Sequence, residues 1–505
     1  MSQTTPRTIK LPALNATPDS LGYFRFDRLS AGRVVLTNDA GEWQVLANAD
    51  FRTFISGQIK ADNPLFPALQ DKGFIRDDLD AEQIAARVRR KKRFLGQGPH
   101  LHVVITTLRC NQSCRYCHAS RTDMSRVDTD MSIETAKGVV DLAMQSTSSY
   151  INFEYTGGEP IVNMPAVKFV VEYSREKNRY EGKTLDHSIV TNMTYMTEDV
   201  AEYLIANNIW VCTSLDGSQD VHNWNRTWIQ GKGGSGGAYE SVIKWIRYFN
   251  RRYVEDGLDP ELFHVDALMT TTRKTFEDPR GLVDLYTGLG IRNIHIRALN
   301  PFGFATKTWR RIGYSAEEYL TFYEKVLDYI IELNLKGVQI MEGTAATLLK
   351  KILTPDDPNF VDIRSPIGSG TGQLAYSYDG KIYPSDEGRM VAGMGDDFFL
   401  IGEVGKSSYA DLVNHPTVRA LALSSITDGL PGCNTCWNAP FCGVRPMHNY
   451  MNFGDLFAQR PLTPKCREHM TLSRLLIRRL DADSDGRIEA MFRRWVLDRP
   501  RPPSE

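Results

Sequence analysis

From Leu101 onward, short apolar runs alternate with segments of helical length: LHVVITT, YINFEY, HSIVT, VCTSL, HVDALM and NIHIRAL, separated by amphipathic stretches such as SIETAKGVVDLAMQ. Runs this short suit strands, and the 3.6-residue periodicity between them suits helices. Repeated strand–helix alternation predicts an α/β fold, a parallel sheet with crossover helices in about six units, as a full or partial (β/α)6 TIM-type barrel over 99–310. Ligand chemistry then belongs at the carboxyl ends of the strands, where the loops converge. Upstream, FRFDRL and GRVVLTNDAGEWQVL predict strands around an Asp-Ala-Gly turn, followed by a helix over ADFRTFISGQI. This N-terminal α+β module, 1–98, ends in a charged helix whose basic run, Arg87 to Arg93, reads as a solvated face, and in the linker Gly96-Gln97-Gly98-Pro99. After the barrel come a helical bridge (311–360), a region opened by a Gly-rich segment and the hairpin YSYDGKIYPS (361–470), and a basic helical tail (471–505).

Charge narrows the partners. The 60 basic and 61 acidic residues nearly cancel, which removes the electrostatic argument for nucleic acid or a membrane surface. No stretch approaches the ~20 apolar residues of a membrane span, and the opening MSQTTPRTIKLPALNATPDS lacks the apolar core of a signal peptide. The chain is read as soluble and cytoplasmic. Its eight cysteines bunch into a triplet and a quartet with Cys212 left over, a pattern of metal ligation in an unexported chain.

The triplet Cys110-Asn-Gln-Ser-Cys114-Arg-Tyr-Cys117 directly follows the first barrel strand, so three thiolates converge where ligands should bind. A four-iron cluster takes four thiolates for full ligation, and three leave one iron open. A zinc site would want a fourth ligand, for which His118 is available. CxxxCxxC with Tyr116 before its last cysteine, together with Thr156-Gly157-Gly158-Glu159-Pro160 closing the second strand, resembles the radical SAM superfamily. The resemblance implies that S-adenosylmethionine chelates the open iron of a [4Fe–4S] cluster and is cleaved to a 5′-deoxyadenosyl radical. It also implies cofactor contacts from Tyr116, from Gly157, Gly158 and Glu159 near the methionine amino group, and from Asn192, Ser214, Asp216 and Arg226 around ribose and carboxylate. Arg226 suits a carboxylate by its fork geometry, with a surface ion pair as its other reading. Gly231 to Gly237 has no lysine and serine or threonine in P-loop position and reads as a flexible loop. Cys212, inside an apolar strand, reads as a small core residue.

Cys433-x2-Cys436-x5-Cys442 with Cys466 supplies four thiolates, and resembles the SPASM domain of radical SAM maturases. It departs from that pattern where Pro446 and Ser385 stand in positions that usually bear cysteine, and the run Ile367 to Gly372 lacks one nearby. The resemblance therefore implies one fully ligated auxiliary [4Fe–4S] cluster, with structural zinc as the alternative. Asp386 and Glu387 follow the altered hairpin where related sulfatase-maturing enzymes place an acidic base, making Asp386 the candidate catalytic carboxylate. Asp481-Ala-Asp483-Ser-Asp485-Gly486 imitates a calcium loop, but Phe492 stands where the bidentate glutamate belongs, so a polar helix junction is expected.

The resemblance spans Leu101 to Met470. The N-terminal YFRFDRL…LTNDAGEW, the triplet RCNQSCRYCHAS and the reduced auxiliary site are most similar to the His-Xaa-Ser system radical SAM maturase (HxsB) family. That similarity implies modification of a ribosomally synthesised precursor peptide, a second radical SAM protein as partner and a reductant such as flavodoxin or ferredoxin. A formylglycine-generating sulfatase-type maturase and a non-catalytic metal-stabilised binding protein are the alternatives. The N-terminal strands would either pair with a leader peptide or cap the barrel.

Overall fold

In the computed structural model, described over residues 20–77, 79–229, 237–458 and 460–497, the N-terminal pattern forms a three-stranded antiparallel meander. Its strands are β1 (Arg25–Ser30), β2 (Arg33–Thr37) and β3 (Trp43–Ala47), followed by the helix Asn48–Ile55. Val34, Leu36, Leu46, Phe54 and Phe74 close a small core beneath it. The basic run does not read as expected along its whole length. Arg89 and Arg90 are exposed, but Lys91 is buried and its Nζ donates to the carbonyls of Lys351 (2.7 Å) and Thr354 (3.0 Å). Those carbonyls end the helix Gly343–Leu353, where unpaired acceptors and the helix dipole favour a cation. Sequence periodicity sees the polar character of Lys91 but not the helix end that uses it.

The six apolar runs all form parallel strands: β4 (Leu101–Thr107), then, after the short β5 (Gln112–Cys114), β6 (Tyr150–Gly157), β7 (Thr184–Thr191) and β8 (Ile209–Ser214), and, after the short β9 (Arg226–Trp228), β10 (Asp266–Thr270) and β11 (Asn293–Arg297). Each neighbours its sequence successor in the sheet, as crossover helices such as Ile133–Ala143 and Glu198–Ala206 dictate. Those two helices begin at Ser132 and Thr197, whose side chains accept the backbone N–H three residues on. The bridge is helical, Ala316–Leu335 and Gly343–Leu353, but between them β12 (Met341–Glu342) extends the sheet beside β11. The hairpin β13 (Gln373–Tyr376) and β14 (Lys381–Tyr383) also joins this sheet, β13 lying parallel to β4, and β15 (Gly402–Glu403) pairs with β14.

Along β6, Ile151, Phe153 and Tyr155 are buried towards the helices, while Asn152, Glu154 and Thr156 alternate with them. Glu154 and Thr156 line a cavity of about 390 Å³ to which all six barrel strands contribute. The N-terminal sheet packs against the cysteine-rich region. Thr37 Oγ1 donates to the Trp437 carbonyl (2.6 Å), Arg25 Nε to that of Asn434 (2.6 Å), and Arg478 Nε to that of Leu29 (2.8 Å). Asp481 pairs with Arg33, Asp483 accepts from Glu489 N, and Phe492 is fully buried, so the acidic run is the expected polar helix junction. Among the described residues no helix is long and apolar enough to cross a membrane. The glycines 231–236 lie outside the described residues.

Candidate active site at the strand ends

The loop after β4 is fixed before its first cysteine. Asp130 accepts from Thr107 Oγ1 (2.6 Å) and Arg109 Nε (2.8 Å), and Cys110 N donates to the Thr122 carbonyl. Its second cysteine ends β5, whose antiparallel partner β9 sets Arg226 opposite Cys114. Arg226 Nη1 lies 3.9 Å from Cys114 Sγ, and Asn192 Nδ2, just past β7, lies 3.7 Å from Cys110 Sγ. Burial pushes the Cys110 thiol well up, with Cys114 and Glu159 adding to it. Cys114 is pushed up to about 12 by burial against the pull of Arg226. Gln112 Nε2, between the two cysteines, is buried without a partner. Thiols ringed by N–H donors, one of them unsatisfied, fit ligands whose sulfurs acquire negative charge on binding a cluster.

Gly157 and Gly158 are dictated by backbone crowding. A Cβ on Gly157 (φ +132°) would stand 2.2 Å from the Thr107 carbonyl oxygen, and one on Gly158 2.3 Å from that of Arg109. The N–H groups of Gly158 and Glu159 donate to those same carbonyls, at 2.8 Å each. Glu159 is fully buried and accepts from Thr191 Oγ1 (2.6 Å) and Asn192 N (2.8 Å), clasping β6 to β7; burial raises it to about 7 against those bonds. Asp216, also fully buried, accepts from Tyr116 Oη (2.5 Å), Asn225 Nδ2 (3.2 Å), Arg226 Nε (3.1 Å) and Thr270 N (3.2 Å). Its oxygens are thus spent on protein donors, and it stands behind Tyr116 and Arg226, whose guanidinium lies 5.3 Å from the Tyr116 ring centre. Ser214 ends β8 half-buried.

His118 and Thr156, adjoining the triplet and the Gly-Gly turn, also line the cavity, which connects this rim to the barrel interior. Asp386 and Glu387 line it from the other side; Arg389 Nε holds Asp386 Oδ1 at 2.7 Å. Glu154, Arg297, Asp362 and Arg445 share that space and were not singled out from sequence. Burial raises Glu154 to about 7, reinforced by Asp386, and Glu387 to about 7, reinforced by Asp362. Cys212 is not a core residue: its side chain faces this cavity, on the face of β8 opposite buried Val211 and Thr213. The apolar character of the run hid the period-two alternation that decides which way it points.

The quartet gathers around the start of the helix Pro464–Asp481, whose first turn carries Cys466. Burial pushes the Cys442 thiol up, and Cys436, Cys466 and Cys433 add to the shift. The buried Trp437 Nε1, beside Cys436, has no partner, again the donor a ligated sulfur would take. Among the described residues no group of three His, Cys, Asp or Glu side chains is set to hold one metal ion. Ser385 lies in packed protein: its Oγ is 3.1 Å from Sδ of Met447, the residue after Pro446, beside a core that includes Tyr383 and Phe399.

Residues 104–286 match the model of the Radical SAM superfamily. Over that span the chain is similar to the radical SAM superfamily. The chain is 22% identical over 339 residues to a cysteine-type anaerobic sulfatase-maturating enzyme of Clostridium novyi, a match covering 66% of this chain and 83% of that one. An uncharacterised protein of Methanocaldococcus jannaschii is 31% identical over 133 residues, spanning 26% of this chain and less than half, 43%, of that protein's length. Among solved structures, anSMEcpe with bound AdoMet superposes with a TM-score of 0.60 at 19% identity, covering 76% of this chain and 98% of its own. Streptococcus suis SuiB bound to its precursor peptide SuiA superposes at 0.50 and 15% identity, covering 86% and 96%. These superpositions establish the shared α/β fold.

Proposed function

We propose that this protein reductively cleaves S-adenosylmethionine and modifies a ribosomally synthesised peptide held in the strand-end cavity. The observation that carries this reading is one rim on which Cys110, Cys114, the Gly157–Gly158 turn, Asn192 and Arg226 meet, opening onto a cavity lined from six strands. Radical SAM proteins bind S-adenosylmethionine on a [4Fe–4S] cluster, and together these supply a 5′-deoxyadenosyl radical. In this chain Cys110, Cys114 and Cys117 hold the cluster, Asn192 and Arg226 donate to its thiolates, and Asp216 positions Tyr116 and Arg226. The cavity at the strand ends shields the reacting carbon from water. Asp386, fixed by Arg389, is the carboxylate placed to accept a substrate proton, with Glu154 and Glu387 facing the same space. Cys433, Cys436, Cys442 and Cys466 hold one fully ligated auxiliary cluster for electron transfer or structure.

SuiB binds a precursor peptide in its structure, which supports the peptide reading; the HxsB resemblance narrows it to that system, with a partner radical SAM protein and a flavodoxin or ferredoxin reductant. The test is anaerobic reconstitution with candidate precursor peptides, scored by 5′-deoxyadenosine and peptide mass. Loss of two hydrogens is expected. Cofactor cleavage with unchanged peptide mass would sink the peptide assignment. The match to the sulfatase-maturating enzyme favours formylglycine formation as the second reading, which the same assay resolves with a sulfatase-derived peptide.

A further inference from the structure

A second cavity, about 400 Å³, abuts the first: Lys465 and Glu468 line both. Their ion pair, 2.7 Å from Nζ to Oε2, forms the shared wall. Away from that wall Leu299, Trp309, Phe453, Leu462 and Pro464 give the second cavity an apolar side, and Glu317, Asn449, Asn452 and Arg467 also line it. Phe453 is 54% exposed and Leu462 65%, so large apolar side chains stand uncovered beside a concave surface. Among them His448 is only 4% exposed, and its Nε2 has no hydrogen-bond partner. The ring is fixed by Phe302, edge-on at 4.9 Å. Burial holds its pKa well below the usual histidine range, so the imidazole is neutral. A buried polar atom without a partner costs free energy that a ligand group would recover.

We propose that this groove binds an extended stretch of the peptide substrate outside the reacting residue. A bulky apolar side chain rests on Trp309, Phe453 and Leu462, and a backbone amide or carbonyl completes His448 Nε2. The reacting residue lies beyond the Lys465–Glu468 wall, in the strand-end cavity. This rests on the peptide reading above, and it adds a sequence preference: an aromatic or large aliphatic residue near the modified position. Apolar anchors in a pocket supply most of the energy of such contacts, and one fixed polar group sets the backbone register.

The test uses full-length holoenzyme reconstituted anaerobically with iron and sulfide. A defined mixture of acetylated, amidated hexapeptides, varying one position through Gly, Ser, Asp, Lys, Leu, Phe and Trp, is passed over it, and retention is read by mass spectrometry. Leu, Phe and Trp members should be retained about tenfold over Gly. Phe453→Arg, at an exposed position, should abolish that preference while iron content and thermal melting stay at wild-type values. His448→Leu should weaken all members alike, and His448→Gln, which keeps a hydrogen-bonding group, should restore most of the loss. No preference in the wild type, or one that survives Phe453→Arg, overturns the groove. Parallel measurement of 5′-deoxyadenosine separates the failures: selective retention without cofactor cleavage removes the radical reading and leaves the groove, and cleavage with flat retention does the reverse.

Discussion

Arg226 and Cys114 are paired residues of the β5–β9 ladder, with Nη1 3.9 Å from Sγ. The same guanidinium neutralises Asp216, which has no solvent access. Arg226→Gln leaves that carboxylate buried and uncompensated, a cost of about 3–5 kcal/mol. Urea denaturation should record this loss. Adding Asp216→Asn should recover most of the stability, yet 5′-deoxyadenosine formation should stay low because the donor beside Cys114 is still missing.

Gly158→Ala places a methyl 2.3 Å from the Arg109 carbonyl oxygen and 2.5 Å from that of Leu108. Both atoms are backbone, so relief requires the triplet loop to shift, at about 1–3 kcal/mol. The variant should fold but incorporate less iron, seen as lower iron content and lower cluster absorbance per chain.

The two cysteine groups should be separable. On the two-cluster reading the reconstituted wild type holds about eight irons per chain, and Cys442→Ala about four. Cys442→Ala should still form 5′-deoxyadenosine, whereas Cys114→Ala should form none. Zinc in place of iron in the quartet, found by elemental analysis, would refute the auxiliary cluster.

Glu154 has a folded pKa of about 7, raised by burial and by Asp386, against an ordinary 4.5. Between those values the folded chain keeps a proton that the unfolded chain has lost. Folding therefore becomes less favourable as pH rises from 4.5 to 7, and is constant with respect to this group above that. Glu154→Gln removes the effect, so its melting temperature relative to wild type should rise between pH 5 and pH 8. A shift that does not change with pH would contradict the assignment.

Much of this was legible beforehand because it depends on local pattern. The strands over LHVVITT to NIHIRAL follow from short apolar runs, and the triplet and Gly157–Gly158 turn are contiguous motifs at strand ends. What escaped depends on contacts between distant segments. Cys212 and Glu154 face the cavity because of strand alternation that apolar or mixed runs obscure. Lys91 is buried because a helix 260 residues away ends beside it. Asp216 stands behind Tyr116 rather than at the rim because Asn225, Arg226 and Thr270 all converge on it, which spacing alone does not encode.

The helix Pro464–Asp481 adds a second tie between the cysteine-rich region and the N-terminal sheet, which already meet at Trp437 and Asn434. Cys466 sits in its first turn, and Asp481 at its far end is gripped by Arg33 of the N-terminal sheet. Eighteen residues at 1.5 Å each make a strut about 27 Å long,. The meander thus braces the quartet's surroundings at both ends of this strut, at Trp437 and Asn434 beside the cysteines and at Asp481 far from them.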